Sequence, residues 1–211
     1  PLTHPFGRRR KITPTFEVSA MRMFIAIPLP AETRASLSKL QEQLSSSGAD
    51  VKWVNRQNIH LTLKFLGDVD ERQADVIKEI IDEVAAKTPR FRIVLASAGA
   101  FPKLKYPRVI WVGVGQGDDQ TKSLADSLEE EIVSVGIPKE KRIFSSHITI
   151  GRVRSQMNRA KLIAALEAVS TGISGGKNLE FTADRIVLFK STLTPSGPVY
   201  EIFKDASLTT A

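Results

Sequence analysis

One four-residue pattern occurs twice in this chain, as His60-Leu61-Thr62-Leu63 and as His147-Ile148-Thr149-Ile150. Side chains on a β-strand alternate between its faces, so in each copy the histidine and threonine share one side and the two aliphatic residues share the other. Each copy therefore reads as a strand with one core face and one polar face. If the two strands lie beside each other about a local two-fold axis, two imidazoles and two hydroxyls surround one small cleft suited to a phosphate.

The stretches around the motifs alternate between strand and helix patterns. Residues 23–28 form an apolar run closed by Pro28 and Pro30, a buried strand leading into a helix over residues 31–46 with Leu37, Leu40 and Leu44 on one stripe. Residues 51–54 and 59–66 suit strands, the second with Leu61, Leu63 and Phe65 on one face and His60, Thr62 and Lys64 on the other. Gly67-Asp68 suggests a turn, and Asp70 an N-cap for a helix burying Val76, Ile77, Ile80, Ile81 and Val84.

Strands are expected over residues 91–96, 108–114 and 146–153. A helix capped by Asp118 or Asp119 stops at Gly136, and another opens at Asn158 with Leu162, Ile163, Leu166 and Val169 inward. Gly172, Gly175 and Gly176 mark a loop, followed by strands over residues 179–189 and 199–208 with a turn at residues 194–198. This order is too irregular for a doubly wound parallel sheet, and two α+β lobes fit it better.

The chemistry open to the paired motif follows from its side chains. Opening a cyclic phosphodiester needs a base to take a proton from water and an acid to protonate the departing oxygen. Two imidazoles, which titrate around pH ~6.5, can hold those complementary states near neutrality. Thr62 and Thr149 offer hydroxyl donors to the non-bridging oxygens. Arg152 could add a charge-assisted contact, but strict alternation places it opposite His147, so this role requires a bend near Gly151.

Composition narrows the field further. The chain has no cysteine, which excludes disulfides, thiol nucleophiles and thiolate metal sites. Two histidines without a nearby carboxylate fall short of the three protein ligands usual for catalytic zinc, so metal-independent chemistry without a cofactor is expected. A Ser–His–Asp reading lacks its Gly-x-Ser-x-Gly elbow. No apolar run approaches bilayer-spanning length, and a cytoplasmic location follows as the expectation.

The formal charge of +7 favours phosphate-bearing partners. Four of the 30 basic residues (Arg8, Arg9, Arg10 and Lys11) and one of the 23 acids (Glu17) lie in residues 1–20, leaving the remainder at +4. Residues 1–20 are expected to form a flexible extension, with residues 21–211 as one bilobal domain; His4, in that extension, lacks the His-x-Thr setting and is assigned no role. Lys64, Lys103, Lys105 and Arg108 are candidates to line the cleft entrance. Phe24, Trp53, Phe65 and Trp111 read as core rather than as base-stacking platforms.

With these residues in view the chain resembles the two-histidine phosphoesterases, and within them the LigT-like RNA 2′,3′-cyclic phosphodiesterases. The resemblance rests on residues 22–27 (RMFIAI), 58–67 (NIHLTLKFLG) and 107–111 (PRVIW), with Ser191, Leu193, Gly197, Pro198 and Tyr200 near the end. It implies two pseudo-symmetric lobes, each an antiparallel sheet with helices outside and an active-site cleft between. It also implies hydrolysis of a terminal 2′,3′-cyclic phosphate to a 2′-phosphate, with His60 as proton donor, His147 as proton acceptor, and Thr62, Thr149 and Arg152 holding the phosphate. Some members of the superfamily join RNA ends by a 2′,5′ linkage and others chiefly bind nucleotides, so the alternative is a non-catalytic nucleotide or RNA-binding module using the same cleft. The expected partners are RNA or nucleotides with cyclic phosphate ends, with no obligate protein partner and a monomeric chain.

Overall fold

The computed structural model describes residues 20–170, 173 and 179–210. The expectations for the N-terminal extension with its arginine run and His4, and for Gly172, Gly175 and Gly176, lie outside these residues.

Among the described residues nine strands form two sheets in which every strand pairing is antiparallel. The strands are β1 (Met21–Pro28), β2 (Val51–Trp53), β3 (His60–Val69), β4 (Phe91–Lys103), β5 (Tyr106–Val114), β6 (His147–Val153), β7 (Glu180–Ala183), β8 (Arg185–Thr194) and β9 (Gly197–Ser207). One sheet has the order β3-β1-β8-β9 and the other β2-β6-β5-β4-β7. The described α-helices that cover them are α1 (Ala31–Ser45), α2 (Glu71–Lys87), α3 (Asp118–Ile132) and α4 (Arg159–Ser170). The α+β class and two-lobed antiparallel architecture are as expected.

The helices are distributed symmetrically. α2, which follows β3, packs on β8 and β9 of its own sheet, and α4, which follows β6, packs on β4 of its own. α1 leaves β1 and crosses to β6 in the other sheet, while α3 leaves β5 and crosses to β3. The succession β1-α1-β3-α2 is thus repeated as β5-α3-β6-α4, and the exchange of α1 and α3 ties the lobes together. Both aliphatic pairs of the motifs are buried in the core, as alternation requires.

Local sequence accounts for the helix ends. Asp70 caps α2, accepting from the Gln73 backbone N–H while the Gln73 side chain accepts from Asp70 N–H, a reciprocal capping box. α2 buries Ile77, Ile80, Ile81 and Val84, but Val76 turns outward at 43% exposure. Neither Asp118 nor Asp119 caps α3. Gly117 does so in a left-handed conformation (φ 88°), where a Cβ would lie 2.4 Å from the Arg92 carbonyl oxygen; Asp118 begins the helix and pairs with Lys122.

Two strand assignments need correction. The single strand expected over residues 179–189 is divided at Asp184: β7 joins β4 in one sheet and β8 joins β1 in the other. A continuous run of β-forming residues carries no mark of a change of sheet. Gly67-Asp68 is not a turn but part of β3, paired with Met23 and Arg22; Gly67 (φ 75°) lies at a register shift that absorbs its left-handed backbone.

Candidate active site

The two motifs sit on equivalent strands in equivalent registers. In the first sheet, Pro28 faces His60, Ile27 faces Leu61 and Ala26 faces Thr62; Leu63 is then extra, and pairing resumes with Ile25 facing Lys64 and Phe24 facing Phe65. In the second, Gly113 faces His147, Val112 faces Ile148 and Trp111 faces Thr149; Ile150 is extra, and pairing resumes with Ile110 facing Gly151 and Val109 facing Arg152. Each motif therefore ends in a β-bulge at its last residue, which inserts one residue and resets the alternation beyond it.

The bulges determine which side chains join the polar face. Gly151 is buried and Arg152 exposed, so Arg152 falls on the side of His147 and Thr149; the bend this role needed is the bulge at Ile150. In the first half the same shift buries Lys64 and brings out Phe65, which is 59% exposed rather than core. Lys64 does not line the cleft: it is 2% exposed, and its ammonium pairs with Glu129 of α3 at 2.5 Å and donates to the Pro138 carbonyl at 3.2 Å. Glu129 also accepts from the Glu140 backbone N–H, so this cluster fastens the segment leading to His147 onto the strand carrying His60. Gly151, at the position matching Lys64, is a glycine because Val51 and Trp53 approach it closely; a Cβ would lie 2.9 Å from each.

Both imidazoles are held in the same way. His60 Nδ1 lies 2.7 Å from the Asn58 carbonyl oxygen and His147 Nδ1 lies 2.7 Å from that of Ser145, each two residues upstream. A carbonyl only accepts, so Nδ1 carries the proton in both rings and Nε2 is left for proton exchange. Asn58 is itself anchored, its side-chain amide donating to the Pro198 carbonyl at the start of β9. The Ser145-Ser146-His147 run thus orients the histidine through the backbone carbonyl of Ser145.

The surroundings of the two rings differ. Phe24 stacks on His60 at 4.7 Å between centroids, Tyr200 meets it edge-on at 5.5 Å and Phe189 lies at 6.2 Å. Burial in this aromatic shell pushes the His60 pKa down to about 4, with the hydrogen bond to Asn58 acting in the opposite sense. Among the described residues His147 has one aromatic ring contact, with Phe101, edge-on at 5.0 Å. Its pKa is lowered by burial and by the positive charge of Arg152, against the raising effect of its bond to Ser145.

Arg152 also exerts its charge on Tyr200, whose phenol is raised by burial and lowered by Arg152 and Arg22. Because Tyr200 borders His60, the guanidinium links the surroundings of the two histidines, and strands β3 and β6 are themselves in contact. Sequence reasoning assigned no site role to Phe24, Phe101, Phe189 or Tyr200; Phe24 and Tyr200 lay within the stretches that carried the resemblance. Among the described residues no three side chains drawn from His, Asp and Glu converge as a metal-ligand group.

The family model described as LigT like Phosphoesterase matches twice, at residues 27–111 and 112–200, so that each half contains one motif. The RNA 2′,3′-cyclic phosphodiesterase of Methanocaldococcus jannaschii is 38% identical over 88% of this chain and 99% of its own length. The enzyme of that name from Thermotoga maritima is 35% identical over 86% and 92%. Among solved structures, E. coli LigT complexed with 3′-AMP superposes with a TM-score of 0.73 and 27% identity, covering 90% of this chain and 99% of that one. The doubled motif, its matched bulges and this coverage place the chain in one group: it belongs to the LigT-like phosphoesterase family.

Proposed function

We propose that the protein is an RNA 2′,3′-cyclic phosphodiesterase, hydrolysing terminal 2′,3′-cyclic phosphates to 2′-phosphates with His60 as general acid and His147 as general base. The observation that carries the reading is the pair of 2.7 Å Nδ1–H bonds to backbone carbonyls, which leaves both histidines with Nε2 available and their rings held in place. The activity named for the relatives supplies the substrate class.

In the reaction, His147 Nε2 takes a proton from water as the water oxygen bonds to phosphorus. The bond from phosphorus to the ribose O3′ breaks, and His60 Nε2–H delivers its proton to that oxygen. The product is a 2′-phosphate with a free 3′-hydroxyl; His147 gains one proton, His60 loses one, and exchange with solvent restores both. Thr62 and Thr149 donate their hydroxyls to the non-bridging oxygens, and Arg152 offsets charge developing there.

The acid role of His60 depends on bound substrate, because burial alone holds its pKa down to about 4. In the free protein His60 is neutral at pH 7, so the anionic phosphate must raise its pKa on binding; an opposite charge within a few ångströms acts in that sense. No described helix is long and apolar enough to cross a membrane, and a cytoplasmic monomer acting on RNA ends is the form the proposal takes.

The test is turnover of a 2′,3′-cyclic mononucleotide in chelator-treated buffer, with the product isomer identified by phosphorus NMR. Hydrolysis to the 2′-phosphate is expected. Tight binding without turnover would replace the proposal with a nucleotide-binding module.

A further inference from the structure

A second cluster of basic side chains lies beyond the end of β6, outside the motif residues. A surface pocket of about 430 Å³ is lined by Tyr106, Arg108, Arg154, Ser155, Gln156 and Arg159. Its lining holds three arginines and no carboxylate, and none of the three forms an ion pair among the described residues. The Tyr106 ring, 53% exposed, has the Arg159 guanidinium and the Lys103 ammonium each 5.4 Å from its centroid.

Surface arginines commonly gain acidic partners, whereas these three line one pocket together with a half-exposed aromatic ring. Guanidinium groups match phosphate geometry through paired N–H donors, and an exposed aromatic face accepts a nucleobase with little regard to its identity. The pocket therefore carries the two recognition elements of single-stranded RNA.

Its position relates it to the active site. The Arg154 backbone N–H bonds to the Asp50 carbonyl, extending the pairing of β2 with β6 by one residue beyond Val153, so Arg154 follows Arg152 along the same strand direction. At strand rise the seven steps from His147 to Arg154 span at most about 23 Å, the reach of a few nucleotides. A 2′,3′-cyclic phosphate caps the last ribose of an RNA, so the rest of that RNA must leave the cleft on its 5′ side. Lys103 and Arg108, which the sequence suggested as lining the entrance, belong to this pocket and its rim.

We infer that the Tyr106–Arg108–Arg154–Arg159 pocket is an exosite that holds the backbone and a base of the RNA upstream of the cyclic phosphate, giving oligoribonucleotides an advantage over mononucleotides. This rests on the phosphodiesterase reading above. None of these four residues belongs to the proposed acid–base or phosphate-holding set, so the two ideas fail separately.

The experiment compares kcat and KM for a 2′,3′-cyclic mononucleotide and for a short single-stranded oligoribonucleotide ending in the same cyclic phosphate. It uses the wild type, the triple variant Arg108→Ala/Arg154→Ala/Arg159→Ala, the matching triple lysine variant and Tyr106→Ala. The wild type should show a lower KM for the oligomer. In the triple alanine variant that KM should rise about tenfold or more, while the mononucleotide stays within about twofold. The dependence of log(kcat/KM) for the oligomer on log salt should flatten by about two, for three lost contacts at about 0.7 each. The lysine variant should recover most of the oligomer advantage, and Tyr106→Ala should lose part of it without altering the salt slope. Equal KM values for both substrates in the wild type, or parallel loss of both activities in the triple alanine variant, would overturn the exosite. Absence of mononucleotide hydrolysis by the wild type would instead overturn the phosphodiesterase reading.

Discussion

His60 sits among Phe24, Phe189 and Tyr200, whereas His147 has Phe101 and the charge of Arg152. Beneath these surroundings the backbones are alike: each histidine starts a strand, bonds through Nδ1 to the carbonyl two residues back, and precedes a bulge at the same distance. The shared backbone sets ring orientation and tautomer. The unshared side chains set acidity, and the contrast is sharpest just past the bulges, where Phe65 stands in one half and Arg152 in the other. On the proposed reading, a duplicated scaffold becomes an acid–base pair because its two rings differ in solvation and nearby charge rather than in backbone geometry.

The largest effects should come from removing either side of the pair. His60→Ala and His147→Ala should each lower kcat by roughly 10²- to 10⁴-fold, the range for loss of a general acid or base. Steady-state rates on the cyclic mononucleotide check this, and wild-type rates in either variant would dissolve the pairing.

Next in size is Arg152→Ala, which removes a charge-assisted contact worth roughly 1.5–3 kcal/mol, or about ten- to a hundredfold in kcat/KM. It should also raise the pKa of His147, because the guanidinium opposes imidazolium formation, while leaving His60 close to its starting value. Proton NMR titration of the two imidazoles reads both; equal movement of the two would mean that the halves are electrostatically alike.

Much of this site was legible in the sequence because it lies in period-two strands. His60, Thr62, His147 and Thr149 share their faces by alternation alone. The residues past Leu63 and Ile150 were not legible, since a bulge leaves no compositional mark: Lys64 appeared cleft-facing and is buried, and Phe65 appeared buried and is exposed. The aromatic neighbours of His60 come from β1, β8 and β9, far apart in the chain, and only strand pairing gathers them. The helices were read well where a side chain caps them, as at Asp70, and less well where a glycine turn does, as at Gly117.

A comparable effect, read on stability rather than on rate, separates the halves by pH. The His60 pKa is lowered from 6.5 to about 4 on folding, so between those values the unfolded chain binds more protons and stability falls as pH falls. The contribution is present above pH 6.5 and is lost progressively down to about pH 4, amounting to about 2–3 kcal/mol. Urea melts of wild type and His60→Gln from pH 7 to pH 4 should show the variant losing less stability; parallel curves would place no desolvation penalty on His60.

Smaller is Lys64→Met, which removes the ion-pair partner of the partly exposed Glu129 and should cost about 1–2 kcal/mol in urea denaturation. Because the clamp holds the segment before His147, amide exchange at residues 137–146 should rise in the variant, while exchange in β4 and β7 stays unchanged. An unaltered exchange pattern would reduce Lys64 to a local ion pair.

The two histidines, alike in geometry, are proposed to differ in role. The most direct test uses a cyclic substrate in which sulfur replaces the 3′ oxygen, because a thiolate leaves without needing a proton. On this substrate His60→Ala should recover most of the wild-type rate and His147→Ala should remain impaired. Recovery by His147→Ala instead, or by neither variant, would contradict the assignment of His60 as acid and His147 as base.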